Sequence, residues 1–223
     1  MSTLTNWLDD VPGPHQGQAV HTIGSSVDQA AGAVILIHGR GATAPSILDL
    51  ASLLEQPGVA YLAPQAASST WYPYPFTQPR DVNEPGLSSA HAVISTMIEK
   101  LVWVGIEPDR IVLLGFSQGA CLATDHAAWN PRRYGGVIGL SGGLIGDELD
   151  GSAYSGSLEG TPVFLGCSDI DPHIPVERVH ETSEILEGMG ADVTTSIYPG
   201  MGHTINPDEI DHARKIVQRI GSS

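Results

Sequence analysis

The fold of this chain is decided by the stretch Ile111-Val112-Leu113-Leu114-Gly115-Phe116-Ser117-Gln118-Gly119-Ala120. Its opening apolar run has the length and composition of a strand that is buried on both faces, as in a parallel sheet. The glycines at positions 115 and 119 give the chain room to turn sharply from this strand into a following helix. Ser117 would then occupy a strained turn with its hydroxyl above the sheet, which predicts a nucleophile. The alternative is a glycine-rich turn with a solvent-facing serine.

Strands and helices alternate along the rest of the chain. Short apolar runs predict a short edge strand at residues 19–23 and further strands at 33–37, 59–63, 137–140, 162–166 and 193–198. Apolar residues spaced by three and four predict helices at 45–55, 87–104, 118–129 and 176–189. A last helix is predicted to begin at Pro207, with Asn206 as its cap. This alternation predicts an α/β fold in a single domain, with a mostly parallel sheet, helices on both faces and no large cap domain.

Two segments lie outside this alternation. Residues 1–18 are polar and acidic, and we expect them to form a loosely ordered lead-in. Residues 64–86 form a long loop with five prolines and four aromatic residues, and loops of this length are usually functional or disordered. The aromatic density favours order, and we expect Trp71, Tyr72 and Phe76 to line a substrate pocket together with Ile174. The alternative is that this aromatic loop packs over the edge of the sheet.

The composition limits the partners of the protein. The chain has 223 residues, with 10 Lys and Arg against 25 Asp and Glu, and a formal net charge of -15. This balance argues against nucleic acid and anionic membranes, because both bind a cationic face. It also disfavours a highly anionic substrate unless a local basic patch offsets the field. No signal peptide and no apolar run of membrane-spanning length is evident, so we expect a soluble, cytoplasmic protein without membrane insertion.

A serine nucleophile needs a base within hydrogen-bond reach, and the base needs an orienting acid. In parallel sheets functional groups collect at the carboxyl ends of the strands, where Ser117, the acids Asp169 and Asp171, and His203 are all predicted to lie. Their order along the chain is that of the α/β-hydrolases. Position alone leaves both aspartates open as the orienting acid, although Pro172 favours a fixed, extended backbone at Asp171.

The other histidines have different predicted roles. His38 ends a strand beside a glycine loop, and we expect it to tie that loop to the backbone. His91, His126, His180 and His212 lie on predicted helices, where we expect them to be solvated. No two histidines are four residues apart, as a helical metal-binding motif requires. We therefore predict no metal and no cofactor.

Acyl transfer passes through an oxyanion, which needs preorganised N–H donors. The backbone N–H of Gln118, the residue after the predicted nucleophile, is one predicted donor. The backbone N–H of Arg40, in the glycine loop after the strand at residues 33–37, is the other. We expect the Arg40 side chain to be solvated, and the alternative is that it serves an anionic group of the substrate.

Four segments together resemble the phospholipase/carboxylesterase family, which contains small bacterial carboxylesterases and the acyl-protein thioesterases. They are His38-Gly39-Arg40-Gly41-Ala42, Gly115-Phe116-Ser117-Gln118-Gly119-Ala120, Asp171-Pro172-His173-Ile174-Pro175 and Pro199-Gly200-Met201-Gly202-His203. The resemblance runs from about residue 33 to residue 215, and it implies an α/β-hydrolase domain over residues 19–223. Thioesterase-type members usually carry leucine where Arg40 stands, and Trp71-Tyr72-Pro73 is more similar to a bacterial esterase branch.

The resemblance implies that Asp171 is the orienting acid and that Arg40 and Gln118 supply the oxyanion donors. It also implies the hydrolysis of short- to medium-chain carboxylic esters by Ser117, His203 and Asp171. Thioesters and lysophospholipids are alternative substrates for the same three residues. A non-catalytic ligand-binding protein on the same fold is an alternative from another class. We expect a small-molecule ester as the partner, and a monomer or a homodimer.

Overall fold

The computed structural model describes residues 1–221 and contains one eight-stranded sheet. In chain order its strands are β1 (Ser2–Leu4), β2 (Val20–Gly24), β3 (Gly32–Ile37), β4 (Val59–Pro64), β5 (Ile111–Phe116), β6 (Gly136–Leu140), β7 (Pro162–Ser168) and β8 (Asp192–Tyr198). Across the sheet their order is β1-β2-β4-β3-β5-β6-β7-β8. Strands β3 to β8 run parallel, and β1 and β2 pair antiparallel. Residues 222 and 223, at the end of the predicted domain, lie outside the described residues.

Helices join these strands and confirm the predicted α/β class. They are α1 (Ala44–Leu48), α2 (Gly86–Trp103), α3 (Gln118–Trp129), α4 (Val176–Gly188) and α5 (Pro207–Ile220). The helix predicted over residues 45–55 is wrong in length, because a 3₁₀ turn follows α1 at Asp49–Leu53. There the Ser52 hydroxyl donates to the Asp49 carbonyl oxygen at 2.7 Å, a local bond that competes with the α-helical pattern.

The sheet separates two apolar cores. Along β5, Ile111 and Leu113 point to one face while Val112 and Leu114 point to the other, as alternation along a strand requires. Helices α2, α3 and α4 cover the first face, and α1 and α5 cover the second. All four side chains are fully buried, so this strand is covered on both faces as its apolar run predicts.

The N-terminal segment is more ordered than the predicted lead-in. Strand β1 pairs with β2, so β1 and not β2 forms the edge of the sheet. Leu8 and Val11 are fully buried in the core that α2 covers. Lys100 of α2 also donates through Nζ to the Asn6 carbonyl oxygen at 3.0 Å. Two apolar side chains anchor an otherwise polar segment, because each adds buried apolar area.

The parallel strands β3 to β8 bring their carboxyl ends to one edge of the sheet. Ser117 directly follows β5, Asp171 follows β7, and His203 follows β8. Parallel α/β sheets bind their ligands at this edge. The candidate site is therefore assembled there from loops that are far apart along the chain.

Candidate active site

Ser117 lies at the sharp corner between β5 and α3. Its backbone angles, φ 57° and ψ -122°, are strained for a residue that has a side chain. A Cβ atom on Gly115 would lie 2.1 Å from the Gly119 carbonyl oxygen, and one on Gly119 would lie 2.0 Å from the Ile37 carbonyl oxygen. Only glycine fits at these two positions, because the start of α3 lies directly against the ends of the strands. The corner therefore presents the Ser117 side chain at the edge of the sheet.

Two hydrogen bonds join Ser117, His203 and Asp171. Asp171 Oδ2 lies 2.7 Å from His203 Nδ1, and His203 Nε2 lies 2.9 Å from Ser117 Oγ. An ionised carboxylate can only accept, so Nδ1 carries the proton of the neutral ring. The unprotonated Nε2 then accepts a hydrogen bond from the serine hydroxyl. The arrangement can remove a proton from Ser117 and hold it on the ring.

Asp171 is held in its charged form. Its Oδ1 accepts from the backbone N–H groups of His173 at 2.8 Å and Ile174 at 3.1 Å. Burial raises the pKa of Asp171, but the hydrogen bonds from His203, His173 and Ile174 outweigh it, so the pKa lies below its ordinary value. A carboxylate that stays charged keeps the imidazole in a single tautomer.

Asp169, the other acid that the sequence left open, makes a different contact. Its Oδ1 accepts from the backbone N–H of Gly200 at 2.7 Å, and the Ser168 hydroxyl accepts from that of Gly202 at 3.0 Å. Gly200 and Gly202 have φ values of 69° and 76°, which glycine adopts without strain. Asp169 and Ser168 therefore hold the loop that carries His203, while Asp171 contacts the imidazole itself.

The backbone N–H groups of Arg40 and Gln118 are the candidate oxyanion donors. Within residues 1–221, neither donates to a protein acceptor. Gln118 opens α3, where the first N–H groups of a helix lack an intrahelical acceptor. The glycine loop also comes close to the serine, since a Cβ atom on Gly39 would lie 3.2 Å from Ser117 Cβ. Both N–H groups thus belong to segments that adjoin Ser117.

His38 fixes the glycine loop in the manner expected from the sequence. Its Nδ1 donates to the Gly39 carbonyl oxygen at 2.8 Å, and its Nε2 accepts from the Ala66 N–H at 3.1 Å. The His38 carbonyl oxygen in turn accepts from Trp71 Nε1 at 2.9 Å. Burial lowers the pKa of His38, which keeps the ring neutral and able to accept at Nε2.

The side chains of Arg40 and Gln118 hold the aromatic loop. Gln118 accepts from the Trp71 N–H at 3.0 Å through Oε1 and donates to the Tyr72 carbonyl oxygen at 2.8 Å through Nε2. The Arg40 guanidinium donates to the carbonyl oxygens of residues 73 and 74 at 2.7 and 2.9 Å. The Arg40 side chain is exposed but tied to the loop, whereas the sequence predicted a merely solvated one.

A cavity of about 540 Å³ opens beside Ser117. It is lined by Arg40, Tyr72, Pro73, Pro75, Phe76, Ser117, Gln118, Cys121, His173, Ile174 and His203. Tyr72, Phe76 and Ile174 lie where the sequence predicts. Trp71 does not line this cavity, and its prediction as a pocket residue is wrong. It is fully buried, because its indole N–H donates to a backbone carbonyl in the glycine loop and its ring contacts His15 and His38.

Two lining side chains outside the aromatic loop were not predicted from the sequence. Cys121 follows Ser117 by four residues, and this spacing places both on one face at the start of α3. His173 lies two residues after Asp171, and its ring stands edge-on to that of His203 with the centroids 4.9 Å apart. The helical spacing could have revealed Cys121, but no local pattern indicates where the His173 ring lies.

A second aspartate–histidine cluster does not line this cavity. Asp125 of α3 is fully buried, with Oδ1 2.8 Å from Arg80 Nη1 and Oδ2 2.9 Å from His91 Nε2. The Nδ1 atoms of His91 and His126 are 3.4 Å apart, and His126 is buried. The expectation that His91 and His126 are solvated is wrong. A buried carboxylate requires hydrogen-bond donors or cations beside it, and His91 is one of these partners of Asp125.

The described chain offers no cluster for a metal ion. Within residues 1–221, no group of three or more His, Cys, Asp or Glu side chains could hold one. Cys121 and Cys167 are both buried free thiols. Over the same residues, the helices are all too short or too polar to cross a membrane.

Residues 18–220 match the model of the family described as phospholipase/carboxylesterase. This chain belongs to that family. The matched range contains every residue of the candidate site, from the glycine loop at Arg40 to the imidazole of His203.

Other proteins resemble this phospholipase/carboxylesterase family member over much of its length. The crystal structure of a phospholipase/carboxylesterase from Dyadobacter fermentans DSM 18053 is 42% identical with a TM-score of 0.88, and the match covers 93% of this chain and 99% of that one. Acyl-protein thioesterase 1 of Gibberella zeae is 32% identical over 142 residues, which cover 63% of this chain and only 60% of that relative's length. Acyl-protein thioesterase 1 of Saccharomyces cerevisiae is 25% identical over 227 residues, covering 90% of this chain and 98% of that protein.

Proposed function

We propose that this protein is a serine carboxylesterase that hydrolyses short- to medium-chain carboxylic esters through an acyl-enzyme. The observation that carries the proposal is the hydrogen-bonded series Asp171, His203 and Ser117 at the wall of a cavity. In this proposal Ser117 is the nucleophile, His203 is the general base and acid, and Asp171 orients the imidazole. Membership of the phospholipase/carboxylesterase family supports it.

In the first half-reaction, Ser117 Oγ forms a bond to the acyl carbon while its proton passes to His203 Nε2. The Asp171 carboxylate, 2.7 Å from Nδ1, stabilises the imidazolium. The bond between the acyl carbon and the alcohol oxygen then breaks, and Nε2 returns the proton to the leaving alcohol. In the second half-reaction, water gives a proton to Nε2 and its oxygen to the acyl carbon, and Ser117 leaves with that proton.

The oxyanion of each tetrahedral intermediate is assigned to the backbone N–H groups of Arg40 and Gln118. Neither group has a protein acceptor within residues 1–221, so neither must break a bond within the protein before it donates to the oxyanion. One lies in the loop that His38 fixes, and the other opens α3, which supports the assignment of a preorganised pair of donors. The loss of one such donor typically costs roughly 3 kcal/mol of transition-state stabilisation.

The shape of the cavity supports a small ester. Its volume of about 540 Å³ lies within the range of small-molecule pockets. Tyr72, Phe76 and Ile174 supply apolar surface, and hydrogen bonds between residues 71–74 and the side chains of Arg40 and Gln118 hold the aromatic wall in place. A preformed wall of this kind suits short and medium acyl chains.

A second candidate function is the hydrolysis of thioesters or lysophospholipids by the same three side chains. The similarity to acyl-protein thioesterase 1 of two fungi favours it. The two candidates are separated by kcat/KM values for p-nitrophenyl esters, acyl-CoA and lysophosphatidylcholine of matched acyl length. The carboxylesterase proposal requires the highest value for the simple esters.

Covalent labelling tests the proposed chemistry directly. A fluorophosphonate probe should label the wild type at Ser117, with the site read by peptide mass spectrometry, and should leave Ser117→Ala unlabelled. Ser141→Ala is the matched control and should be labelled like the wild type. Ser141 also follows a strand and has a positive φ of 53°, but within residues 1–221 no histidine lies within hydrogen-bond distance of its hydroxyl. A wild type that is not labelled and hydrolyses no ester would contradict the proposal and favour a non-catalytic ligand-binding protein.

A further inference from the structure

The guanidinium of Arg40 is a positive charge fixed at the cavity. It donates to the carbonyl oxygens of residues 73 and 74, and Arg40 is among the lining residues. A guanidinium has more N–H donors than these two bonds occupy. Because the two bonds already hold the side chain, a ligand that binds the remaining donors loses little affinity to side-chain ordering.

This charge has no counter-charge in the described part of the chain. Arg80, Arg178 and Arg214 each pair with an aspartate or a glutamate. Arg40 makes no ion pair with any carboxylate of residues 1–221. Carbonyl oxygens satisfy its hydrogen bonds but leave its charge uncompensated, so an anion is the complementary ligand.

The side chains that line the cavity differ in charge from the rest of this acidic protein. The chain carries a formal net charge of -15. Its lining nevertheless includes the basic side chains of Arg40, His173 and His203. In the described part of the chain, the lining contains no aspartate and no glutamate. The Asp171 side chain is fully buried and bonded to His203. The positive charge of Arg40 therefore attracts an anion locally, although the net charge of the protein repels anions.

The Tyr72 hydroxyl is a second donor, and its one polar contact in the described part of the chain is with the Cys121 thiol. Tyr72 lines the same cavity and is 2% exposed, and its hydroxyl has no regular hydrogen-bond partner within residues 1–221. The Cys121 thiol next to it is only a weak hydrogen-bonding group. Burial raises the pKa of Tyr72 well above its ordinary value, so the hydroxyl keeps its proton. Cys121 and Asp125 add to this rise in the pKa, and Arg40 opposes it. Buried hydroxyls are normally paired with a good acceptor, so this one can still donate to an acceptor on a ligand.

We propose that the substrate is a small ester that carries a carboxylate, which binds the Arg40 guanidinium with the Tyr72 hydroxyl as a second donor. This proposal rests on the esterase function proposed above and names its substrate class. Two kinds of ester offer this chemistry. A half-ester of a dicarboxylic acid carries the carboxylate on the acyl side, and an ester of a hydroxy acid carries it on the alcohol side.

Matched pairs of neutral and anionic esters test the proposal and distinguish the two sources. Monoethyl glutarate against ethyl pentanoate tests the acyl side, and the butanoate ester of glycolic acid against propyl butanoate tests the alcohol side. Hydrolysis is followed by pH-stat titration at neutral pH. The wild type should prefer the anionic member of one pair in kcat/KM by about 10- to 100-fold, the range expected of a charge-assisted hydrogen bond. Added NaCl should reduce this preference, because salt screens it.

For each variant we compare the kcat/KM of the anionic ester with that of its neutral partner. Arg40 also holds the aromatic loop, so its loss can lower both rates, and only a change in their ratio reports on the carboxylate. Arg40→Gln should lower the ratio by about 10- to 100-fold. Arg40→Lys keeps the charge but cannot make both loop bonds, so both rates should fall while most of the ratio remains. Tyr72→Phe removes the hydroxyl alone and should lower the ratio by roughly 3- to 10-fold. Arg214→Gln removes the same charge from an exposed ion pair on α5 and should leave the ratio unchanged.

The outcomes separate the two levels of inference. Neutral esters that are hydrolysed with no preference for either anion, or a ratio that Arg40→Gln leaves intact, would overturn the anion subsite and leave the esterase function standing. A wild type that hydrolyses none of the four esters and is not labelled by fluorophosphonate would refute the esterase function itself. An unchanged ratio in Tyr72→Phe would remove the hydroxyl from the subsite. On the wild type alone, glutarate should inhibit ethyl pentanoate hydrolysis competitively and more strongly than neutral glutaramide, and equal inhibition by the two would also overturn the subsite.

Discussion

The pairs Asp171–His203 and Asp125–His91 share the same local contact. An aspartate oxygen lies 2.7 Å from a ring nitrogen in the first pair and 2.9 Å in the second, and both carboxylates are fully buried. In the first pair the other ring nitrogen reaches the Ser117 hydroxyl beside a cavity. In the second it faces another buried histidine at 3.4 Å. An aspartate–histidine pair thus indicates no function by itself, and the group on the far side of the imidazole makes the difference.

The partners of the two carboxylates differ as well. Asp125 also binds Arg80, which lies in the aromatic loop, and accepts from the Ile145 N–H at 3.2 Å, so it ties two loops to α3. Burial raises the pKa of Asp125, but the bonds from His91 and Arg80 outweigh it and leave the pKa below its ordinary value. Asp171, by contrast, pairs with one basic side chain in the described part of the chain, the imidazole of His203. These partners suit a structural hub at Asp125 and an orienting acid at Asp171.

The largest expected difference between the pairs concerns their histidines. His203→Ala removes the proposed base and should lower kcat on p-nitrophenyl butyrate by about a millionfold, as Ser117→Ala should. His91→Ala should leave kcat per folded molecule close to that of the wild type, because this ring does not line the cavity and bonds Asp125 and His126, not the serine. A large loss of kcat in His91→Ala with an unchanged circular dichroism spectrum would break the comparison.

The acid of the first pair should have the next largest effect. Asp171→Asn keeps the shape of the side chain but favours the wrong tautomer of His203, and kcat should fall by roughly 10⁴-fold. The fold should remain intact, because the carboxamide oxygen still accepts from the backbone N–H groups of His173 and Ile174. The measurement is kcat together with thermal unfolding, and a variant with wild-type kcat would remove Asp171 from the proposed mechanism.

The acid of the second pair should affect stability rather than catalysis. Asp125→Asn leaves Arg80 without its carboxylate partner in a largely buried network, so the free energy of unfolding should fall by about 3 to 5 kcal/mol. Urea unfolding measures this loss, and active-site titration with the fluorophosphonate probe corrects kcat for unfolded protein. A stable Asp125→Asn variant with reduced kcat would reverse the assignment.

A third buried carboxyl sharpens the comparison because it has no basic partner within residues 1–221. Glu209 Oε2 accepts from the Asn206 N–H at 2.8 Å, while Oε1 has no partner. Burial raises the pKa of Glu209 from 4.5 to about 7. A raised pKa in the folded state means that its contribution to stability is fully present below the ordinary pKa and is lost as the pH rises through about 7. The lowered pKa values of Asp171 and Asp125 act in the opposite direction, so their contributions are lost on acidification.

The smallest expected effect is the contribution of Glu209 to the pH dependence of the free energy of unfolding. Between about pH 5 and pH 8, the free energy of unfolding of the wild type should decline by roughly 2 to 3 kcal/mol relative to that of Glu209→Gln. Glu177→Gln is the matched control, since Glu177 also lies in the first turn of a helix but is exposed, and it should leave the decline unchanged. Urea unfolding at both pH values measures the effect, and a Glu209→Gln variant with the wild-type decline would contradict the prediction.

Features that depend on neighbouring residues were predictable from the sequence. The apolar run from Ile111, the glycines on either side of Ser117 and the alternation of strands and helices determine the α/β class. Asn206 caps α5 as predicted, with its side chain accepting from the Glu209 N–H. The catalytic roles of Ser117 and His203 remain predictions, although the structure brings the two side chains to 2.9 Å.

Features that depend on contacts between distant segments were decided only by the tertiary structure. Asp169 and Asp171 follow the same strand, and only the course of the loop after β8 brings the imidazole to one of them. The partial burial of His91 depends on a carboxylate in another helix, and the Arg40 side chain is held by carbonyl oxygens more than thirty residues away. The physical reason is that backbone conformation follows largely from local side-chain patterns, whereas hydrogen-bond partners are set by packing between segments that the sequence alone does not bring together.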